Sequence, residues 1–328
     1  MVFIHSSFRT SSTWLWKKFR DCKNTLAYYD VFHETLESLD RELISSFTTI
    51  SWNSRHPDAG PYFSEYEGLL NPQGGVENYQ KLMAFMDFIP LGGIRGDLSN
   101  AERDYLDGLI RHAEAQGKTP VISCARSLGR FAGIHNIWSS YHILLVRDLY
   151  THWLSFLQHT YEGTYYFINA LLSIIINSQH DGFFNDLMIE CVSVQECKNG
   201  IIIGRFVNSV SFLKAFLAAH TYLYMNSYDL ANLVLNVSRI AREAAERRSA
   251  EEVIRESTGI RISLADATDI PVAINIATSD IKAVSIWVDT MLQNARKWSL
   301  HCSPAAFEFS RGMIHEFLSS HLRGKADR

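Results

Sequence analysis

Phe3-Ile4-His5-Ser6-Ser7-Phe8-Arg9-Thr10-Ser11-Ser12-Thr13-Trp14-Leu15-Trp16 is the stretch on which the expected fold turns. A short apolar run gives way to a polar turn and then to apolar residues at helical spacing, the order strand, turn, helix. Three more short runs rich in β-branched or aromatic residues, at 25–32, 119–124 and 142–146, alternate with longer helical patterns. Together with residues 2–5 they predict βα units around a parallel sheet. Residues 13–23 and 100–116 read as crossover helices, the second with Asn100 as its N-cap ahead of Glu102 and Arg103.

From Tyr150 onward the character changes. Long amphipathic patterns at 206–224 and 228–248 predict a mainly helical second half, with strand-like exceptions at 201–203 and 259–264. No repeat and no low-complexity linker interrupts the chain. The expectation is therefore one domain over 1–328, an α/β core at 1–160 with the helical part 161–328 packed on it.

Bulk properties exclude several classes. At 328 residues, 47% hydrophobic, the chain can bury a sizeable core. Its net charge of -4 and pI near 6.3 lack the basic excess of a dedicated nucleic-acid binder. Five cysteines (Cys22, Cys124, Cys191, Cys197, Cys302) are odd in number and show no CxxC spacing, so they read as reduced thiols without a metal. Residues 2–4 run at once into polar sequence, unlike a signal peptide, and the most apolar later run, 167–176, is shorter than the roughly 20 residues a bilayer needs. A cytoplasmic protein without an integral membrane segment is expected.

The first turn has the makings of an anion cradle. A helix start offers backbone N–H groups without intrahelical partners and the positive end of a dipole, and Arg9 with the hydroxyls of Thr10, Ser11, Ser12 and Thr13 adds donors. A Ser/Thr cluster also caps helices, which accounts for one hydroxyl but not for four beside an arginine. The GxxxxGK[ST] pattern of nucleotide triphosphatases is missing. A second segment, Tyr141 to Ser155, reads as a buried strand ending in Arg147, followed by a helix that carries Ser155 about two turns on. Arg147 then stands at the carboxyl end of a sheet strand, where open α/β proteins bind ligands. An Arg147-Asp148 pair at a helix start is the plainer alternative.

Together the two segments are specific. Arg9-Thr10-Ser11-Ser12-Thr13-Trp14 resembles the loop of the sulfotransferases that use 3′-phosphoadenosine 5′-phosphosulfate (PAPS), a basic residue followed by hydroxyl, Gly, hydroxyl, Thr and Trp. Ser11 stands where that pattern has Gly, which calls for a backbone that tolerates a side chain or for a slightly displaced phosphate. Arg147 and Ser155, eight residues apart, are similar to the pair that contacts the cofactor's 3′-phosphate in the same family. The resemblance covers roughly residues 1–160. It implies a P-loop NTPase-like three-layer fold, PAPS held by Arg9, Thr10, Ser11, Ser12, Thr13, Trp14, Arg147 and Ser155, and Arg9 as the electrophilic group.

Sulfuryl transfer also needs a base for the acceptor hydroxyl. The string Tyr28-Tyr29-Asp30-Val31-Phe32-His33-Glu34 is similar to one found in bacterial carbohydrate sulfotransferases, with Asp30-Val31 where Glu-Pro is common, and it offers His33 and Glu34. A solvated turn or a helix cap is the alternative for both. Trp52, Arg55 and His56, near Tyr62-Phe63, and Arg126 and Arg130 after the third strand are candidates for binding a glycan acceptor. Aromatic core, surface loop or ion-paired arginines explain the same residues. The Arg-Lys-Gly loop that closes over the cofactor in many cytosolic sulfotransferases is missing; Arg255 and Arg261, flanking Thr258-Gly259, are candidates to replace it, and a charged helix end explains them equally well. A kinase of similar architecture and a non-catalytic relative are the rival readings. The missing P-loop lysine speaks against the first.

Overall fold

A computed structural model describes residues 1–48, 59–191, 210–268, 274 and 276–326. Among them, strands β1 (Val2–His5), β2 (Thr25–Tyr28), β3 (Thr119–Cys124), β4 (Tyr141–Val146) and β5 (Leu233–Asn236) form one sheet in the order β2-β3-β1-β4-β5. Every pairing is parallel. The protein is thus an α/β protein. β1 and β2 are buried at every position, as parallel strands covered on both faces must be.

Two helices show how the sheet is wrapped. The chain passes from β1 through α1 (Ser12–Arg20) outward to β2, then returns through α4 (Asn100–Ala115) to β3. Right-handed crossovers running in opposite directions put their helices on opposite faces. Side chains at the end of β2 agree: the Tyr28 hydroxyl donates to the Leu109 carbonyl of α4 at 2.9 Å, while Tyr29 packs edge-on against Trp16 of α1 at 5.0 Å. Between β2 and α4 lie the short helices α2 (Arg41–Ser46) and α3 (Leu82–Phe85), and α5 (Phe131–Ile137) leads from β3 to β4.

The chain divides into two compact units. The first comprises Met1–Pro90, Arg95–Val146 and Ala231–Asp269, so that it releases the chain at the end of β4 and takes it back for β5, α10 (Val237–Arg242) and α11 (Ala244–Thr258). The second comprises Leu91–Ile94, Arg147–Leu230 and Ile270–Arg328 and is helical among its described residues: α6 (Leu149–Tyr161), α7 (Tyr166–Asn177), α8 (Gly182–Cys191), α9 (Val210–Tyr228), α12 (Thr278–Lys297) and α13 (Pro304–Ala326). None of the described helices is long and apolar enough to cross a membrane.

Several local expectations are corrected. The N-cap before α4 is Ser99, not Asn100: its hydroxyl accepts from Glu102 N while the Glu102 carboxylate accepts from Ser99 N, a capping box. The pattern at 228–248 is not one helix, because it contains strand β5 and the break before α11. Four residues, Leu233 to Asn236, are too few to separate helical from strand spacing, and the free edge of β4 decided between them. Residues 259–264 form no strand; they run as an irregular segment that buries Ile260 and Leu264 in the core of the first unit. The helix expected at 206–224 is amphipathic only on paper. As α9 it is buried along nearly its whole length, packed against α8, α12 and α13. The run at 201–203 lies outside the described residues.

Candidate functional site

The loop between β1 and α1 is built by its hydroxyls. Ser6 donates to the Cys124 carbonyl at 3.0 Å, and Thr10, fully buried, donates to the Ser7 carbonyl at 2.7 Å. Thr13 shares a hydrogen bond with the Tyr29 hydroxyl at 3.3 Å. Thr10 and Thr13 therefore brace the loop, while Ser11 and Ser12 remain half-buried at its surface.

Backbone geometry completes the cradle. Arg9 and Ser11 both have left-handed backbones, at φ 64° and 63°. That conformation costs an L-residue roughly 1–2 kcal/mol and favours glycine, so Ser11 keeps the backbone expected of the glycine in the resembled pattern. Its side chain makes no capping bond, and the first helical hydrogen bond runs from Leu15 N to the Ser11 carbonyl. The amides of Ser12, Thr13 and Trp14 thus form the open first turn of α1. Trp14 is fixed by its indole N–H, which donates to Asp266 at 3.3 Å; Lys18 pairs with the same carboxylate at 2.6 Å.

Topology fixes where this loop stands. β1 is followed by α1 toward the β2 edge, whereas the chain leaving β4 comes back as β5 on the opposite edge. Connections from neighbouring strands that run in opposite directions open a crevice at their carboxyl ends, the usual ligand position in open α/β sheets. β1 and β4 are those neighbours, with His5 level with Leu144.

The turn after β2 meets the one after β3. Asp30 takes a left-handed backbone, φ 36°, and its carboxylate accepts from Ala125 N at 3.1 Å and from a guanidinium N–H of Arg126. Burial pushes this carboxyl up, but the Arg126 charge, His33 and the Ala125 amide together hold it below the ordinary aspartate value. Arg126, fully buried, also donates to Glu34 Oε2 at 2.7 Å, and its guanidinium lies 5.0 Å from the centre of the Phe8 ring in the β1 loop. The two turns and the β1 loop are thereby brought together.

His33 and Glu34 differ sharply. His33 Nδ1 accepts from Thr35 N at 3.2 Å, capping the short 3₁₀ turn Glu34–Glu37. Burial first, and then the Arg126 charge, lower its pKa to about 4. At neutral pH the ring is uncharged, and the hydrogen-bond pattern assigns its proton to Nε2, which makes that atom a donor. Glu34, with its side chain 26% exposed, is the better-placed proton acceptor.

The remaining candidates divide by position. Arg130 is fully buried, pairs with Glu102 at 3.1 Å, donates to the Met83 carbonyl at 2.9 Å and stacks 4.1 Å from Phe32. Arg126 likewise has no exposed surface. Both sit as ion-paired arginines of the core, and Tyr62 and Phe63 are buried in the aromatic cluster with Tyr29. Trp52, Arg55 and His56 lie outside the described residues. Arg147, nearly buried, directly follows β4; its Nε donates to Thr151 at 3.1 Å, while Asp148 caps α6 through Thr151 N. Ser155 is buried two turns along α6. The segment carrying Arg261 lies along α1, where the Arg261 carbonyl accepts from Cys22 at 3.3 Å, and Arg255 pairs with Glu252 at 3.2 Å.

Sequence reading missed Asp30 as an anchor. Its signal was an acidic residue at the end of an apolar strand, in a place that demands either solvent or an arginine.

No family model, no curated protein and no solved structure matches this chain.

Proposed function

We propose that this protein is a sulfotransferase that moves a sulfuryl group from PAPS to an acceptor hydroxyl, most simply that of a carbohydrate or glycan. The observation that carries the reading is the β1 loop: Arg9 and the open first turn of α1 stand at the carboxyl edge of the central strand, with left-handed backbone at Arg9 and Ser11. Such a turn directs consecutive amides at an anion. Arg147, the first residue after β4, supplies a planar fork suited to a phosphate. The donors of the β1 loop fit a ligand carrying a phosphate.

PAPS, when bound, supplies the sulfuryl group and a leaving phosphate. Glu34 takes the proton of the acceptor hydroxyl as the new O–S bond forms. The bound donor would release adenosine 3′,5′-bisphosphate, which would carry away the electron pair of its S–O bond. Arg9 and the α1 amides neutralise the charge that develops on that phosphate, the kind of fixed electrostatic stabilisation that contributes most when the donors are already in place. His33, neutral and donating from Nε2, orients rather than accepts.

Calorimetric titration with adenosine 3′,5′-bisphosphate, followed by transfer from sulfate-labelled PAPS to a panel of oligosaccharides and phenols, tests the reading. Saturable binding and labelled product are expected. Binding without transfer identifies a non-catalytic relative, and no binding at millimolar ligand rejects the proposal.

A further inference from the structure

A guanidinium with no exposed surface must have its charge met from within the protein. Arg126 meets this condition in an uncommon way. One terminal nitrogen binds Asp30, the other binds Glu34 Oε2 at 2.7 Å, and both carboxylates come from the single turn that follows β2. Phe8 and Phe85 hold the plane of the group, at 5.0 and 5.1 Å from their ring centres.

The turn is fixed at each end. Val31 N donates to the Ser123 carbonyl at 3.1 Å, and His33 N donates to the Asp30 carbonyl at 2.8 Å. Asp30 pays for its place with a left-handed backbone, which persists only where surrounding contacts over-determine it. Its contacts are the Ala125 amide, the Cys124 thiol at 3.5 Å and Arg126. A strained, buried anchor is more than a core ion pair needs.

We propose that Arg126 is a positioning residue, whose fork uses Asp30 as a fixed anchor to hold the carboxylate of Glu34 in one orientation beside the β1 loop. This rests on the sulfuryl-transfer reading, in which Glu34 is the base. A lysine could neutralise either carboxylate but could not span both in one plane. Phe8 extends the arrangement to the anion loop, since it lies against the guanidinium and is the residue before Arg9. The other titratable groups facing this cluster include His33 on the same turn, Tyr29 just before Asp30, Tyr66, Cys124 at the end of β3, Arg130 in the loop beyond it, and Tyr79, whose hydroxyl donates to the Phe32 carbonyl at 3.3 Å. Arg130 is occupied with Glu102 at 3.1 Å.

The test separates order from chemistry. Side-chain 13C relaxation of labelled glutamates in the full chain should show Glu34 ordered, against mobile Glu42 on the exposed side of α2. In Arg126→Lys, Glu34 should become as mobile as Glu42 while the melting profile stays cooperative. A Glu34 that is mobile in the unmodified protein, or equally ordered in Arg126→Lys, overturns the proposal, whether or not sulfuryl transfer occurs. A mobile Glu34 in the unmodified protein overturns the proposal even where the variant fails to fold.

Turnover of labelled PAPS with the best acceptor of the panel gives the second reading. Arg126→Lys should lower kcat at least tenfold, with acceptor KM and the dissociation constant for adenosine 3′,5′-bisphosphate within threefold. Glu34→Gln combined with Arg126→Lys should be no slower than Glu34→Gln alone, because both remove the same oriented carboxylate. Losses that multiply in the double variant refute the coupling. Failure of adenosine 3′,5′-bisphosphate to bind the unmodified protein would sink the sulfuryl-transfer reading instead, and the relaxation result would still judge the hold of Arg126 on Glu34.

Discussion

Acidification should destabilise this protein well above the pH at which its carboxylates titrate. His33, His142 and His220 are all held at about 4, against 6.5 for an ordinary histidine, in each case mainly because burial disfavours the charged ring. His5, bonded through Nε2 to His142 Nδ1 at 3.0 Å, is lowered as well. The native rings stay neutral down to about pH 4, while the unfolded rings bind protons from pH 6.5 downward. Stability is therefore full above pH 6.5 and falls as the pH drops toward 4. At pH 5 each of the three rings takes up about 0.9 proton on unfolding and costs about 2 kcal/mol. Three such rings represent a large share of the 5–15 kcal/mol typical of a folded protein. Glu65, whose carboxyl burial pushes up despite its partner Arg20, works weakly in the opposite direction. Urea unfolding at pH 7.5, 6.0 and 5.0 should show free energies that fall ever more steeply. His220→Gln should remove close to one proton from the uptake at pH 5, whatever its own stability. A free energy independent of pH from 7.5 to 5.0 would refute the assignment of these rings as neutral and buried.

Arg9→Ala should reduce turnover of PAPS roughly 100-fold, as the loss of an oxyanion-type contact of about 3 kcal/mol does; unchanged kcat removes Arg9 from the chemistry. Arg147→Ala should weaken adenosine 3′,5′-bisphosphate binding in calorimetry, by about 1.5–3 kcal/mol for a lost charged hydrogen bond, and leave the melting temperature nearly constant. Ser11→Gly should change unfolding free energy by less than about 1 kcal/mol, since relief of the left-handed backbone offsets the extra entropy of an unfolded glycine. A larger loss means that Ser11 has a structural partner. Gly129→Ala should destabilise by about 1–3 kcal/mol in urea titration, because an added Cβ would stand 2.3 Å from the Phe88 carbonyl.

The sheet was legible in the sequence where strands are short, apolar and bounded by turns. Residues 2–5 and 119–124 match β1 and β3, and β2 is shorter than the run at 25–32 because Asp30 turns the chain away. β5 was hidden because four residues carry too little periodicity to declare themselves without β4 beside them. The helical second half was visible as a class. Its layout was not: α9 is buried all round, and only its neighbours reveal why apolar residues occupy both faces.

The candidate site was legible only as far as local chemistry reaches. A strand, a turn with Arg9 and a helix start are contiguous, so their combined reading needed no partner. The role of Arg126 could not be read that way, because its carboxylates lie 96 and 92 residues away in the chain. A string with two arginines reads equally well as a binding surface or as buried ion pairs, and the difference is a matter of solvent rather than of residue type. What decides it is supply: Asp30 and Glu34 leave the end of β2 with charge that the core cannot solvate, and the loop after β3, one strand over, is the nearest place from which a cation can arrive. Arg130 meets Glu102 by the same logic. Parallel neighbours end at the same rim, so a charge left at one carboxyl end is met from the next.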